Sequence, residues 1–166
     1  MTTDSRQPVD EARFRDVVSR FASGVVVVTA QVDGQPVGLT CQSFTSLSLD
    51  PPMVLFCPSK TSTSWPVVAA AEAICINILS EGQDAISNGF ARSGTDKFAG
   101  VAWSPLPNSA PALHGVAAHL GATVAEVYDG GDHHIVTCRV EFLRARDERD
   151  PLLYYRSRYR RLHAVD

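Results

Sequence analysis

Two runs of short polar residues carry the first hint of chemistry. One is Thr40-Cys41-Gln42-Ser43, inside PVGLTCQSFTSLSLDPP (36–52). The other is Ser59-Lys60-Thr61-Ser62-Thr63-Ser64, directly after the apolar stretch MVLFC. A strand buried on one face alternates apolar and polar residues. Here the alternation holds from Leu47 to Leu49 and fails around Gln42, Ser43 and Phe44. The second run opens a helix, and a helix needs a single capping hydroxyl. Five hydroxyls in six positions, with a lysine among them, offer an anion such as a phosphate a set of donors. The residues alone leave two readings open for each run: a ligand-binding surface, or a solvated strand end and an ordinary cap.

A third candidate is His133, which follows Gly130-Gly131-Asp132. Two glycines and an aspartate make a tight turn, and a histidine fixed at the outgoing strand can donate to a ligand carbonyl or amide near neutral pH. The plainer reading is a solvent-exposed turn histidine. The five histidines form no HExxH, and the four cysteines form no CxxC or zinc spacing. No GxSxG, GxxxxGK or GxGxxG occurs, and no carboxylate pair is marked. Cys57, Cys75 and Cys138 lie in apolar, strand-like runs and read as reduced, buried thiols. Seven arginines fall between Arg144 and Arg161, opposed by Asp147, Glu148 and Asp150. They read either as a salt-bridged, solvated tail or as an anion-binding patch at the edge of a site.

The elements that must position these groups follow from periodicity. Phe14, Val17, Val18 and Phe21 have helical spacing between Asp10 and Gly24. GVVVVTAQV (24–32) and PVGLTCQSF (36–44) read as strands joined by the hairpin signal Asp33-Gly34. MVLFC (53–57) and AICINIL (73–79) are apolar strands around a hydroxyl-rich helix over 61–71, with Pro66 suited to its first turn. EGQDAISNGFA (81–91) is a short helix ending near Gly89, and 94–111 is irregular. Residues 115–129 and 133–145 are long strands, and LLYYR (152–156) is a last short one. About seven strands at short spacing predict an antiparallel barrel rather than a doubly wound sheet.

The 166 residues predict one domain, 1–166, with a core over about 14–160. A net charge of −3 gives no reason to expect nucleic acid or an anionic membrane as partner. The longest apolar run, Val25 to Val28, is far too short to span a bilayer. The polar start MTTDSRQPVDEARFRD shows no signal peptide, so a cytoplasmic location is expected.

Together these segments resemble the short-chain flavin reductase family, the reductase partners of two-component flavin-dependent monooxygenases. The resemblance runs from about Phe14 to Tyr159. It rests on FASGVVVVTA, PVGLTCQSFTSLSLDPPMVLFC, KTSTSW, NGFA with DKFAG, YDGGDHHIV and PLLYYRSRY, in that order. It implies a mainly β fold, the FMN-binding split barrel: six antiparallel Greek-key strands with short flanking helices, in a homodimer. It implies an NAD(P)H:flavin oxidoreductase that passes a hydride from NADH or NADPH, with NADH favoured, to FMN or FAD and supplies reduced flavin to a monooxygenase partner through transient contact. By family position, Pro36, Val37, Gly38, Leu39, Thr40, Gln42 and Ser43 line the ring and ribityl chain. Cys57, Pro58, Ser59, Thr63 and Ser64 hold the ribityl phosphate, and Gly89 and Phe90 close the other side. His133 contacts the nicotinamide and is the catalytic candidate, with Arg156 and Tyr159 nearby; no metal is expected. Many relatives carry Asn-Ser where this chain has Gln42-Ser43, and the spot at Thr137-Cys138 is bulkier than usual. The alternative is a flavin-carrying electron-transfer protein on the same barrel without nicotinamide turnover. The GDH turn and YYRSRY separate the two, since only a nicotinamide site needs them.

Overall fold

The computed structural model describes residues 9–163; the first half of the polar N-terminal stretch read above lies outside them. The elements, in chain order, are α1 (Glu11–Val18), β1 (Ser23–Gly24), β2 (Val26–Val32), β3 (Gln35–Cys41), β4 (Phe44–Leu49), β5 (Pro52–Phe56), α2 (Trp65–Ala69), β6 (Ile74–Ile78), α3 (Asp84–Ala91), β7 (Trp103–Pro105), β8 (Pro111–Leu113), β9 (Ala118–Gly130), β10 (His133–Ala145), β11 (Leu153–Tyr155) and β12 (Arg158–Arg160). Seven strands form one sheet in the order β3-β2-β6-β9-β10-β5-β4, antiparallel throughout.

The two edge strands of that sheet, β3 and β4, are consecutive in the chain and joined only by Gln42 and Ser43. Two linking residues span roughly 10 Å at most. The ends of a seven-stranded sheet can approach that closely only if the sheet curls on itself, so the fold is a barrel with its split at Gln42-Ser43. The expected continuous strand over 36–44 therefore stops at Cys41, and the broken alternation marks the place where the chain leaves one edge and enters the other.

The barrel interior is filled by Val26, Val28, Ala30, Leu39, Phe56, Ile74, Ile76, Leu120, Val136 and Val140, with Trp65 and Val68 of α2 packed into the same cluster. The alternate positions Val25 and Val27 are buried too, against Phe90 of α3, Leu113 and Val116. Burial on both faces is why the strand reads as an unbroken run of valines. Gly38 permits that outer layer: a Cβ there would lie 2.9 Å from the Phe90 ring. The helix read over 61–71 is shorter, because Thr61 to Ser64 form a loop that delivers Pro66 to the first turn of α2. The last strand is a hairpin, β11 with β12. Among the described residues no helix is long and apolar enough to cross a membrane.

Candidate functional site

The split opens into a cleft of about 400 Å³, lined by Leu39 to Ser43, Cys57 to Ser59, Thr61 to Ser64, Phe90, Ala91, Ser93, Lys97 and His133. Both polar runs and the turn histidine thus meet in one place. The local folding explains how. β10 pairs with β5 from Arg139↔Met53 to Val136↔Phe56, and the same register continues to the bridge Ser59↔His133. His134 N–H donates to Pro58 O and Lys60 N–H to Asp132 O, both at 2.9 Å. These contacts fasten the β9–β10 turn to the loop after β5 and set His133 at the cleft. His134 turns elsewhere, its ring centroid 6.3 Å from that of Trp65.

The hydroxyls divide into those already engaged and those left over. Ser43 Oγ donates to Cys57 O and accepts from Cys57 N–H, each at 3.0 Å, adding one rung beyond the end of the β4–β5 ladder. Thr40 Oγ1 donates to Ser87 O of α3 at 2.7 Å. Ser62 Oγ accepts from Trp65 N–H at 3.1 Å and so does the capping work, while the N-cap residue Ser64 makes no capping bond with its side chain. The side chains of Gln42 and Thr63 have no hydrogen-bond partner among the described residues. Five hydroxyls are therefore not redundant caps: one caps, Ser59 and Thr61 pair with each other, Ser64 accepts from Lys97, and Thr63 is free at the cleft wall.

The cation at this site is not the lysine inside the hydroxyl run. Lys60 pairs with Asp129 and holds that carboxyl below the usual range, first by hydrogen bonding and then by charge. Lys97 takes the place instead. Its Nζ donates to Gly38 O at 3.1 Å, Ser64 Oγ at 2.8 Å and Phe90 O at 2.8 Å, so β3, the loop before α2 and the end of α3 are tied at one atom. Burial lowers its pKa. Sequence reasoning left Lys97 unassigned, although DKFAG was among the matching segments; nothing in local spacing reveals that a residue from the irregular stretch crosses to the split.

Other expected residues lie around corners. Pro36, Val37 and Gly38 line an adjoining cleft of about 300 Å³ that shares Thr63, Ser64 and Lys97. Phe90 reaches the main cleft, but Gly89, inside α3, lines neither of these two clefts. Cys57 is half-buried at the cleft rather than in the core, whereas burial pushes the Cys75 and Cys138 thiols up to about 12. Arg156 borders a groove of about 660 Å³ on the far side of Gln42, Ser43 and Cys57, with Phe21, Phe44, Leu55 and Tyr154. Tyr159 does not join it. Its hydroxyl lies 2.7 Å from Asn88 Oδ1 and 2.9 Å from Ser87 Oγ, so it braces α3.

His133 Nδ1 lies 2.7 Å from Asp132 Oδ1. A carboxylate only accepts, so Nδ1 carries the proton; this bond, with the imidazole's charge, lowers the Asp132 pKa. In the neutral ring Nε2 is then an acceptor, and in the protonated ring it is the donor the sequence suggested.

The donors and apolar walls fit a phosphorylated, hydroxylated chain bearing a flat ring. Free hydroxyls and Lys97 gather at one end, and the split offers the polar edge of Gln42 at the other. The family model described as a flavin reductase like domain matches residues 18–163. The reductase subunit HsaB of a flavin-dependent monooxygenase from Rhodococcus jostii is 44% identical over 153 residues, covering 92% of this chain and 78% of that protein. A flavin reductase of Pseudomonas putida is 39% identical over 155 residues, covering 93% and 91%. Among solved structures, a homologue of nitrilotriacetate monooxygenase component B from Mycobacterium thermoresistibile is 45% identical with a TM-score of 0.89, covering 93% of this chain and 87% of that one. The Streptomyces globisporus NADH:FAD oxidoreductase SgcE6, solved with NAD and FAD fragments, is 34% identical with a TM-score of 0.89, covering 95% of each.

Proposed function

The chain belongs to the flavin reductase-like family, and on that premise we propose that it is an NAD(P)H:flavin oxidoreductase delivering reduced flavin to a separate monooxygenase. The flavin supplies the hydride-accepting ring and the reduced nicotinamide the hydride, so the protein's task is to hold the two in register. The observation that carries this reading is the single cleft in which the hydroxyls of 61–64, the Gln42-Ser43 split and His133 converge. Thr63 and Ser64, with Lys97 behind them, receive the phosphate. Leu39 to Gln42 face the ring edge and ribityl hydroxyls, and Phe90 closes the apolar side. Pro36 to Gly38 support this wall from behind rather than touching the ring. His133, oriented by Asp132, accepts from the nicotinamide carboxamide at Nε2. Arg156 stands at the groove beyond. No residue has to move a proton in hydride transfer, which agrees with a site whose groups are donors and walls. NADH is the favoured donor, in keeping with the name of SgcE6, and both FMN and FAD share the ring, ribityl and first phosphate this cleft addresses.

A homodimer belongs to the same reading. α1 carries Phe14, Val17 and Val18 yet buries none of its residues, and Phe21 after it is 85% exposed. β4 exposes Leu47 and Leu49. A second copy laid on this apolar face would cover both and wall the groove at Arg156.

The test is anaerobic stopped-flow reduction of FMN and FAD by NADH and NADPH. Flavin should bleach with saturable dependence on NADH. If bound flavin stays oxidised with either nicotinamide, the electron-carrier alternative replaces the enzyme.

A further inference from the structure

The arginine-rich tail is only partly used by the split. Arg144, Arg146 and Arg149 instead line a separate cleft of about 410 Å³, together with Glu148, His114 and His119. β10 runs 13 residues from His133 to Ala145, which puts Arg144 on the order of 35 Å along the strand from His133. This cleft is at the opposite end of the barrel from the split.

We propose that it binds a phosphate group that keeps one O–H, as free hydrogen phosphate or as the protonated monoester of a small molecule. Three guanidiniums against the one carboxylate of Glu148 leave a rim of net charge +2 when the histidines are neutral. Among the described residues none of these three arginines has a carboxylate within ion-pairing distance. Guanidiniums match phosphate oxygens in pairs. Arg144 lies over the Phe142 ring at 5.4 Å, which restrains its guanidinium. The backbone after it is held by Arg146 N–H donating to Ala117 O at 2.9 Å.

The second observation is on the cleft wall. His119 is 6% exposed. Its Nε2 lies 2.8 Å from Leu113 O; a carbonyl only accepts, so Nε2 carries the proton and Nδ1 is a bare acceptor. That Nδ1 is buried without a partner among the described residues. Burial first, and then the charges of Arg144, Arg146 and His114, lower the imidazole's pKa, while the Leu113 carbonyl opposes them. Asn77, directly across on β6, is uncharged and occupied with Leu113 N–H. A neutral acceptor beneath a cationic rim suits an anion that also has an O–H. Hydrogen phosphate has both: its oxygens meet the guanidiniums, and its proton meets Nδ1 once the wall over that nitrogen shifts, since Nδ1 is closed to solvent in this structure. A monoester dianion takes up one proton on binding to make the same contact. Pro105, Ala112 and Leu113 leave an apolar wall for the ester body.

The experiment follows the His119 ring nitrogens by NMR in the full chain at constant ionic strength, during titration with inorganic phosphate, phenyl phosphate and sulfate. The Nδ1 resonance should move saturably with phosphate or phenyl phosphate, and much less with sulfate, which has no O–H to give. Arg146→Gln with Arg149→Gln should weaken binding by about tenfold or more and leave flavin reduction unchanged. Thr63→Ala with Ser64→Ala should leave this binding unchanged. Movement with phenyl phosphate alone assigns the ester as the ligand. A Nδ1 resonance that does not move, movement that survives loss of both arginines, or phosphate binding abolished only by the Thr63 and Ser64 changes would overturn the proposal.

Discussion

His133 and His134 are neighbours in sequence but occupy different surroundings, one at the cleft and one beside Trp65. His133→Ala should leave flavin affinity nearly intact, raise the apparent constant for NADH and slow flavin reduction by about tenfold, equivalent to roughly 1.4 kcal/mol. His134→Ala should spare the rate. Stopped-flow traces of both variants over a range of NADH concentrations decide it; equal rates for wild type and His133→Ala would remove the histidine from the nicotinamide site. His119 yields a pH prediction. Its folded pKa is lowered from 6.5, mainly by burial, so below 6.5 the unfolded chain binds more protons than the folded one. Stability then falls as pH drops through 6.5 toward the lower folded value. Urea midpoints between about pH 7 and 5 should drop less steeply in His119→Gln than in wild type. The comparison belongs in phosphate-free buffer.

The β11–β12 hairpin turns on Arg156 and Ser157 at φ of +51° and +60°. Such a turn ordinarily takes Asn-Gly, because non-glycine residues pay about 1–2 kcal/mol in the left-handed region. The strained turn is anchored by Arg156 N–H donating to Ser19 O at 2.9 Å, and it presents Arg156 to the groove beside the split. Ser157→Gly should raise the melting temperature with unchanged kinetics. Arg156→Gly should relieve the same strain yet raise the apparent constant for NADH. A rise in stability with no kinetic change in Arg156→Gly would make the arginine merely a turn residue. The knot at Lys97 works at the same scale. Lys97→Met keeps the stem but removes three hydrogen bonds that join β3, α3 and the loop before α2. It should weaken FMN and riboflavin alike, because the cleft itself loosens; titration by fluorescence quenching would show selective loss of FMN if the ammonium acted only on the phosphate.

Across the whole molecule the barrel is well filled, but one side is left apolar and uncovered at α1 and β4. Light scattering should return twice the 17.9 kDa chain mass. Phe14→Asp with Val17→Asp should shift the protein toward one chain mass and lower flavin affinity together, since the groove at Arg156 would lose its outer wall. A monomeric wild type would dissolve the dimer reading.

The sequence by itself determined the long strands, the two hydroxyl runs and the histidine turn, because periodicity, turn chemistry and hydroxyl density are local properties; it missed β4 and the short β7–β8 pair, which lies partly in the stretch read as irregular. VVVV announced a strand, and the failed alternation around Gln42-Ser43 announced an irregularity, but the burial of that strand on both faces and the break between β3 and β4 came only with the fold. The sequence also carried, in the order of its segments, the family and hence the chemistry. What it did not contain is which groups are left unspent once the chain has folded. Ser43 and Ser62 look like Thr63 in sequence, but pairings with Cys57 and Trp65 use up the first two. Lys60 stands in the phosphate-like run and is drawn off by Asp129, while Lys97 arrives from an irregular segment. Tyr159 is diverted to α3, and three arginines of one tail go to the barrel's other end. Each of these outcomes depends on a partner at least fourteen residues away in the chain or on closure of the barrel; only Ser62, which caps the very next helix, could have been assigned locally. Closure itself follows from a pairing order that brings β3 and β4 together as edges, and no local pattern encodes that order.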